Sequence, residues 1–335
     1  MPVRDVLIIG AGPSGLATAI AAKQHGMDYV LVEKGVLVNS IFNFPVHMVF
    51  FTTPELLEIG GLPLVTPYDK PTRLEALRYY RRVVDTFGLQ ISFGEEVCQI
   101  DRPSPESEAG DGVFTVTSRS RGTTRVRHAR AVVLAIGYYD RPNMLGVPGE
   151  DLPHVSHYYT DAHPYYRQRV VVVGGKNSAA EAALELFRAG AHVTLVHRRA
   201  ALGESIKYWV RPDIENRIKE GSIAARFESR VVEIRPTEVV VERDGVRDSL
   251  PAEGVFLLTG YHPDAELMRR AGVEVHPDTL APTLDPETCE SNVGNLFIAG
   301  GASGGRNTGN IFIENGRFHG EKIVKILAAR RLQEA

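Results

Sequence analysis

The sequence predicts an α/β protein made of two parallel-sheet halves, the second inserted in the first, on three observations. An apolar run from Asp5 to Gly10 leads into a glycine-rich turn and a small-residue helix pattern, and the same order of residue types recurs at 169–179. Each half holds a further apolar run that stops at a glycine, so that residues 131–138 echo 254–261. Near the end of the chain, Leu296-Phe-Ile-Ala-Gly300 returns to the first half. Repeated strand–turn–helix units of this kind build Rossmann-like domains on a doubly wound sheet.

In the first half, Asp5 to Gly10 reads as a buried parallel strand. Gly10 permits a tight turn, Gly12 allows a pyrophosphate close to the backbone, and Gly15 lets the following helix lie against the strand. Pro13 and Ser14 sit in the helix N-terminus, whose unpaired N–H groups and positive dipole end suit phosphate. The helix runs through Ala22 and stops at Gly26. A second strand, Tyr29 to Glu33, ends in a carboxylate placed for ribose hydroxyls, about twenty residues beyond the turn. Residues 39–53 are aromatic-rich without a period and read as a cover for something flat and apolar. Thr72 and Glu75 have capping-box spacing at the start of a helix that Gly88 ends. Strands near 91–93, 97–100 and 113–117 read as a small β-meander, with a polar loop from Pro103 to Gly112. The basic stretch from Arg119 to Arg130 reads as a solvated hairpin, followed by the buried strand that ends at Gly137.

After a turn-rich linker, Asp140 to Pro153, the second half opens with Arg169 to Ala179. Ser178 and Glu181 have capping-box spacing there. A strand from Ala191 to His197 follows, then a hairpin turning at Asp244-Gly245. The glycine-rich stretch 300–309 precedes a helix expected from about Asn310 to Leu332, its N-terminus again aimed at a ligand. The expected boundaries are 1–140 with 261–335 for the first domain and 141–260 for the second.

Bulk properties exclude several classes. A hydrophobic content of 43% and a charged content of 24% are those of an ordinary globular protein. The net charge of −3 argues for neither nucleic acid nor an anionic membrane as partner. No apolar run is long enough to span a bilayer. The stretch from Val6 to Ala22 lacks the basic flank of a signal peptide and is broken by glycines and a proline. Two cysteines, Cys98 and Cys289, make no disulfide framework, and a cytoplasmic location is expected. The histidines show no zinc spacing, so no metal is expected.

The second glycine motif has Lys176 where a close-approach glycine would stand, and Ala179 in the last position. Its second strand ends in His197-Arg198-Arg199 with no acid. A carboxylate there would repel a 2′-phosphate, whereas adjacent arginines offer it charge-assisted forks. Hence FAD is expected on the first half and NADPH on the second. The NADPH contacts are expected from Gly174, Gly175, Lys176, Asn177, Ser178 and Ala179, with His197, Arg198 and Arg199 at the strand end.

Four long stretches go further: residues 39–60 with Asn39-Ser-Ile-Phe-Asn-Phe-Pro, residues 174–179, Ser205-Ile-Lys-Tyr-Trp-Val-Arg-Pro-Asp-Ile-Glu-Asn-Arg, and Ile311-Phe-Ile-Glu-Asn-Gly-Arg-Phe-His-Gly. In these the chain resembles the bacillithiol disulfide reductase-like (YpdA-type) flavoproteins of the low-molecular-weight thioredoxin reductase-like class. The resemblance implies FAD, NADPH, reduction of a low-molecular-weight thiol disulfide, and a homodimer or higher homo-oligomer. It adds Lys34, Asn43, Gly137, Gly300, Asn310 and Ile311 to the expected FAD contacts. Thioredoxin reductases of the class carry a Cys-x-x-Cys where this chain has Tyr158 and Asp161. YpdA-type sequences often have a flavin-proximal cysteine where this chain has Ser14. Gly301 stands where an aspartate usually meets the flavin's ribityl chain. A dithiol relay is therefore not expected, and no catalytic residue is assigned. The alternatives are a thioredoxin-reductase-like ferredoxin or flavodoxin–NADP reductase serving a protein partner, and a reductase of quinone-like acceptors.

Overall fold

The computed structural model describes residues 2–103 and 112–334, so most of the polar loop expected from Pro103 to Gly112 lies outside the described residues. The chain forms two compact units: one of Met1–Asn43, His47–Arg141 and Tyr261–Ala335, the other of Phe44–Val46 and Pro142–Gly260. The short Phe44–Val46 segment joins the second unit through the Val46 N–H, which donates to the Thr160 carbonyl at 2.8 Å.

The first unit opens with β1 (Val3–Ile9), α1 (Pro13–Gln24), β2 (Tyr29–Glu33), α2 (Asn39–Phe42), α3 (Arg73–Phe87) and β3 (Ile91–Phe93). It continues through β4 (Glu95–Asp101), β5 (Phe114–Ser120) and β6 (Thr123–Leu134). The second unit holds β7 (Val155–Ser156), β8 (Arg169–Val173), α4 (Asn177–Arg188), β9 (His192–Val196), α5 (Arg211–Lys219) and β10 (Ala224–Arg226). Strands β11 (Arg230–Arg235), β12 (Glu238–Arg243), β13 (Val246–Pro251) and β14 (Gly254–Leu257) complete it. The chain then returns to the first unit with α6 (Ala265–Arg270), β15 (Leu296–Ile298), α7 (Ile313–Gly316) and α8 (His319–Glu334).

The sheet of the first unit runs β3-β2-β1-β6-β5-β4, with β15 beside β6. Pairs β1–β2, β2–β3, β1–β6 and β6–β15 are parallel. Val6, Leu7 and Ile8 of β1 are wholly buried, as a strand covered on both faces must be. Helix α1 has no polar face: every residue from Gly15 to Ala22 is buried, because α8 covers the side turned away from the sheet. That crossing is close; a Cβ at Gly320 would lie 2.4 Å from the Thr18 backbone nitrogen.

Four expectations are corrected here. Residues 91–100 are not part of one meander: β3 pairs in parallel with β2, and only β4 joins the antiparallel β4–β5–β6 group. The basic hairpin and the buried strand after it share one twelve-residue strand, β6. Its arginines are not all solvated, because Arg127 grips the Glu95 carboxylate through Nε and Nη2, both at 2.8 Å. Helix α4 starts at Asn177 behind Lys176 with no side-chain cap, so Ser178 lies inside the first turn and makes no capping box. Finally, the expected 310–332 helix is two helices. Gly316 lies against the Cα of Gly300 at 3.1 Å from its notional Cβ, and Arg317 donates to the carbonyls of Glu55 and Glu58 at 2.6 and 2.7 Å. These anchors hold the chain out of helical register between α7 and α8.

The second unit repeats the plan. Its sheet runs β10-β9-β8-β14-β7 with every pair parallel, and β11-β12-β13 form the antiparallel group. Asp244 and Gly245 both take positive φ, 52° and 78°, the geometry of a two-residue hairpin turn. Ala180, Ala182, Ala183 and Leu186 give α4 a fully buried face over the sheet.

Candidate functional site

In the first unit the glycine turn is built by steric need. Gly10 has φ +104°, and a Cβ there would stand 2.4 Å from the Ala135 carbonyl oxygen, just beyond β6. A Cβ at Gly15 would stand 1.9 Å from the Gly10 oxygen. Gly12 is different: nothing lies within 4 Å of its Cβ direction. The turn is thus closed on the protein side and open at Gly12. Helix α1 has Gly12 as N-cap and no side-chain cap, so its first amides are left for a ligand.

Glu33 ends β2 and is only 6% exposed. Its carboxylate accepts from the amides of Ala11 and Gly35, each at 2.7 Å. Burial pushes its pKa up, against the pull of those two amides. One amide on each oxygen leaves acceptor capacity for a diol. Lys34 pairs with Asp140 at 2.8 Å. Asn43 donates from Nδ2 to the Asn39 carbonyl at 2.8 Å, closing α2. Gly137 lies past the end of β6 with φ +61°.

Gly300 begins a short 3-10 turn and meets the glycine loop directly, since a Cβ there would be 2.3 Å from the Ser14 Oγ. Ser14 is part-buried, and its backbone carbonyl accepts from the Thr18 hydroxyl at 2.7 Å. Ile311 packs its side chain on Gly304 and Gly316. Asn310 is exposed; its carbonyl accepts from Asn315 Nδ2 at 2.8 Å. Its expected place at a ligand-facing helix start is corrected, because α7 begins at Ile313 and is a single turn. Gly301 faces the Tyr138 ring, whose carbons would lie 2.7 Å from a Cβ there. Tyr138 fills the space in which a longer side chain at 301 would sit, a pairing the sequence did not disclose.

In the second unit, Gly175 is covered by the imidazole of His197, 2.2 Å from a notional Cβ. The His197 Nε2 is buried without a hydrogen-bond partner. Burial, with the charges of Arg198 and Arg199, pushes its pKa down, so the ring is neutral. Ala179 is tolerated as the last motif residue because its methyl rests in the space beside Gly174. Lys176 and Ser178 are exposed at the start of α4. Asn177, the first residue of α4, has both ends of its side-chain amide on the following loop: Nδ2 donates to the Ser205 carbonyl and Oδ1 accepts from the Lys207 amide, each at 2.9 Å. It positions that loop. Arg198 and Arg199 are exposed, and neither has an acidic partner among the described residues.

The segment at the dithiol position is pinned by its own hydrogen bonds. Ser156 Oγ donates to the Tyr158 carbonyl at 2.8 Å, and Asp161 accepts from the His163 amide at 2.9 Å. Both cysteines are free thiols. Cys98 is half-buried in β4, and Cys289, in a loop, is 3% exposed. Burial pushes the Cys289 thiol up, away from thiolate. Among the described residues no group of acids, histidines and cysteines could hold a metal ion, and no helix is long and apolar enough to cross a membrane.

Residues 7–300 match the model of the pyridine nucleotide-disulphide oxidoreductase family. The chain belongs to that family. Within it, the chain is 43% identical over 327 residues to the bacilliredoxin reductase Bdr of Bacillus subtilis, covering 97% of each protein. The bacillithiol disulfide reductase Bdr (YpdA) structure from Bacillus cereus superposes with a TM-score of 0.94 at 40% identity, over 98% of this chain and all of that one. The Staphylococcus aureus counterpart gives 0.91 at 38%, over 99% and all. The ferredoxin–NADP reductase of Ignicoccus hospitalis is 27% identical over 305 residues, 89% of this chain and 90% of its own. The resemblance to YpdA-type flavoproteins is thereby established, and as members of this oxidoreductase family such chains use FAD and NADPH. The open Gly12 cradle, the uncapped α1 and the diol-ready Glu33 fit FAD. The orphaned His197 Nε2 and the unpartnered Arg198 and Arg199 fit a phosphorylated nicotinamide dinucleotide.

Proposed function

We propose that this oxidoreductase reduces a low-molecular-weight thiol disulfide of the bacillithiol type, with no protein thiol in the electron path. The observation that carries the proposal is the pairing of a Bdr-like chain with Tyr158, Asp161 and Ser14 at the positions where relatives of the class place sulfur. FAD and NADPH, when bound, supply two-electron chemistry: a hydride leaves the nicotinamide and the flavin passes the electron pair on. The disulfide takes those two electrons with two protons, one equivalent to the hydride and one from water, and leaves as two thiols.

The residues divide as follows. Gly10, Gly12, Gly15 and the α1 N-terminus hold the FAD pyrophosphate, Glu33 holds its ribose, and Gly300 with Ile311 borders its redox end. Lys34, Asn43 and Gly137 shape the walls of the same unit. Gly174, Gly175 and the α4 N-terminus hold the NADPH pyrophosphate, while Arg198 and Arg199 bind its 2′-phosphate. The first unit, Met1–Asn43 with His47–Arg141 and Tyr261–Ala335, is the FAD domain, and the second, Phe44–Val46 with Pro142–Gly260, the NADPH domain.

The test is anaerobic NADPH oxidation against bacillithiol disulfide, a ferredoxin and a benzoquinone. Fastest turnover with the disulfide is expected. Preference for ferredoxin would favour the second reading, which the Ignicoccus likeness motivates; preference for the quinone would favour the third.

A further inference from the structure

His319 opens α8 and reaches back to the Gly300 turn, where the Gly300 amide donates to its Nδ1 at 3.1 Å. Ser303 Oγ donates to the Gly300 carbonyl at 2.8 Å, so both polar groups of this glycine are held. Gly300 is also boxed in sterically, with Ser14 on one side and Gly316 on the other. The Gly300 turn therefore touches the first turn of α1, and the imidazole decides whether its amide has an acceptor. An accepting Nδ1 fixes the tautomer: the ring proton sits on Nε2 and the ring is neutral.

We propose that His319 is a positioning residue for FAD: its neutral imidazole holds the Gly300 turn against Ser14 in the first turn of α1, and protonation of Nδ1 releases that turn. The inference rests on the assignment of FAD to the first unit. The surroundings favour the neutral ring. It is part-buried, and burial followed by the charge of Lys322 pushes its pKa down. The neighbours of the Gly300 turn and of Gly320 beside His319 are uncharged: Ser14 and Gly316 lie against Gly300, Ser303 bonds its carbonyl, and Thr18 lies against Gly320. Both influences on the ring, its burial and the Lys322 charge, disfavour its charged form. Protonation converts the acceptor into a second N–H donor, turned toward the donor N–H of Gly300.

The test measures FAD dissociation from purified holoprotein by flavin fluorescence, for wild type, His319→Asn and His319→Phe, between about pH 8 and about pH 5.5, either side of the ordinary histidine value. Asn offers its Oδ1 near the place of Nδ1 but does not titrate; Phe keeps the ring and removes the acceptor. The wild type is expected to bind FAD roughly threefold to tenfold more weakly at the acid end, the value of one neutral hydrogen bond. His319→Asn should match the wild type at the alkaline end and lose that part of the pH dependence. His319→Phe should be weaker throughout by the same factor. Identical pH profiles for wild type and His319→Asn would overturn the proposal, as would alkaline binding by His319→Asn as weak as that of His319→Phe. If the Phe variant fails to fold, the wild type and Asn profiles still decide. A wild type that binds no FAD at the alkaline end overturns the cofactor assignment along with this inference, which separates the two failures.

Discussion

Two predictions belong to single residues, one on cofactor choice and one on acid sensitivity. Replacing Arg198 and Arg199 together with Ala is expected to weaken NADPH roughly tenfold to hundredfold, since a hydrogen bond to a charged group contributes about 1.5–3 kcal/mol. NADH should change little, as it lacks the 2′-phosphate. Kinetic constants for the two dinucleotides check this, and equal losses would contradict it. Glu95 is the second case. It is 1% exposed and accepts from Arg127, Arg125, Ser92 and Ser118. Burial alone would raise its pKa, but the hydrogen bonds from Arg127, Ser92 and Ser118 outweigh burial and bring it from 4.5 to about 2. A depressed folded-state value means that the stabilisation is fully present above pH 4.5 and is lost as pH falls toward about 2. Glu95→Gln should cost about 1–3 kcal/mol at neutral pH and flatten the acid limb of the unfolding curve; urea titrations at several pH values measure both. The place of the arginine pair, just past the end of β9, was legible in the sequence because the strand follows a glycine motif. Glu95 was not, because Ser118, Arg125 and Arg127 lie 23, 30 and 32 residues away along the chain and meet it only when β4, β5 and β6 pair.

Elements were legible where a local pattern decides them and illegible where packing does. The first capping box is an example of the former: Thr72 accepts from the Glu75 amide, and Glu75 reaches back to the Thr72 amide. The spacing of Ser178 and Glu181 looked equivalent, yet the chain enters α4 two residues earlier, with Lys176 rather than Ser178 as the N-cap, directly behind the Gly174-Gly175 turn. The C-terminal helix pattern gave no hint of its break, since the anchors of Arg317 lie in residues 55–58. The crossing of α1 and α8 gives a prediction at this scale. Gly320→Ala places a methyl 2.4 Å from the Thr18 backbone nitrogen, and backbone has little room to yield. Overpacking of this kind costs typically about 1–3 kcal/mol. Thermal unfolding should show the loss, with weaker retention of FAD because α1 carries the glycine turn. An unchanged midpoint would contradict that reading of the crossing.

Across the whole molecule, the internal repeat made the architecture legible: two parallel sheets, each accompanied by a three-stranded antiparallel group, follow from two glycine motifs and two glycine-ended strands. The chemistry is set by departures from that repeat. His197-Arg198-Arg199 replaces the acid that Glu33 supplies in the first unit, and Tyr158 and Asp161 occupy a segment where a dithiol would make this chain a different enzyme. The central claim is electron transfer to a disulfide without a protein thiol. Its most direct test is the double variant Cys98→Ser, Cys289→Ser, assayed anaerobically for NADPH oxidation with bacillithiol disulfide at matched FAD content. The wild-type rate is predicted to persist; a variant that keeps its FAD but loses the disulfide-dependent rate would place a cysteine in the electron path and contradict the claim.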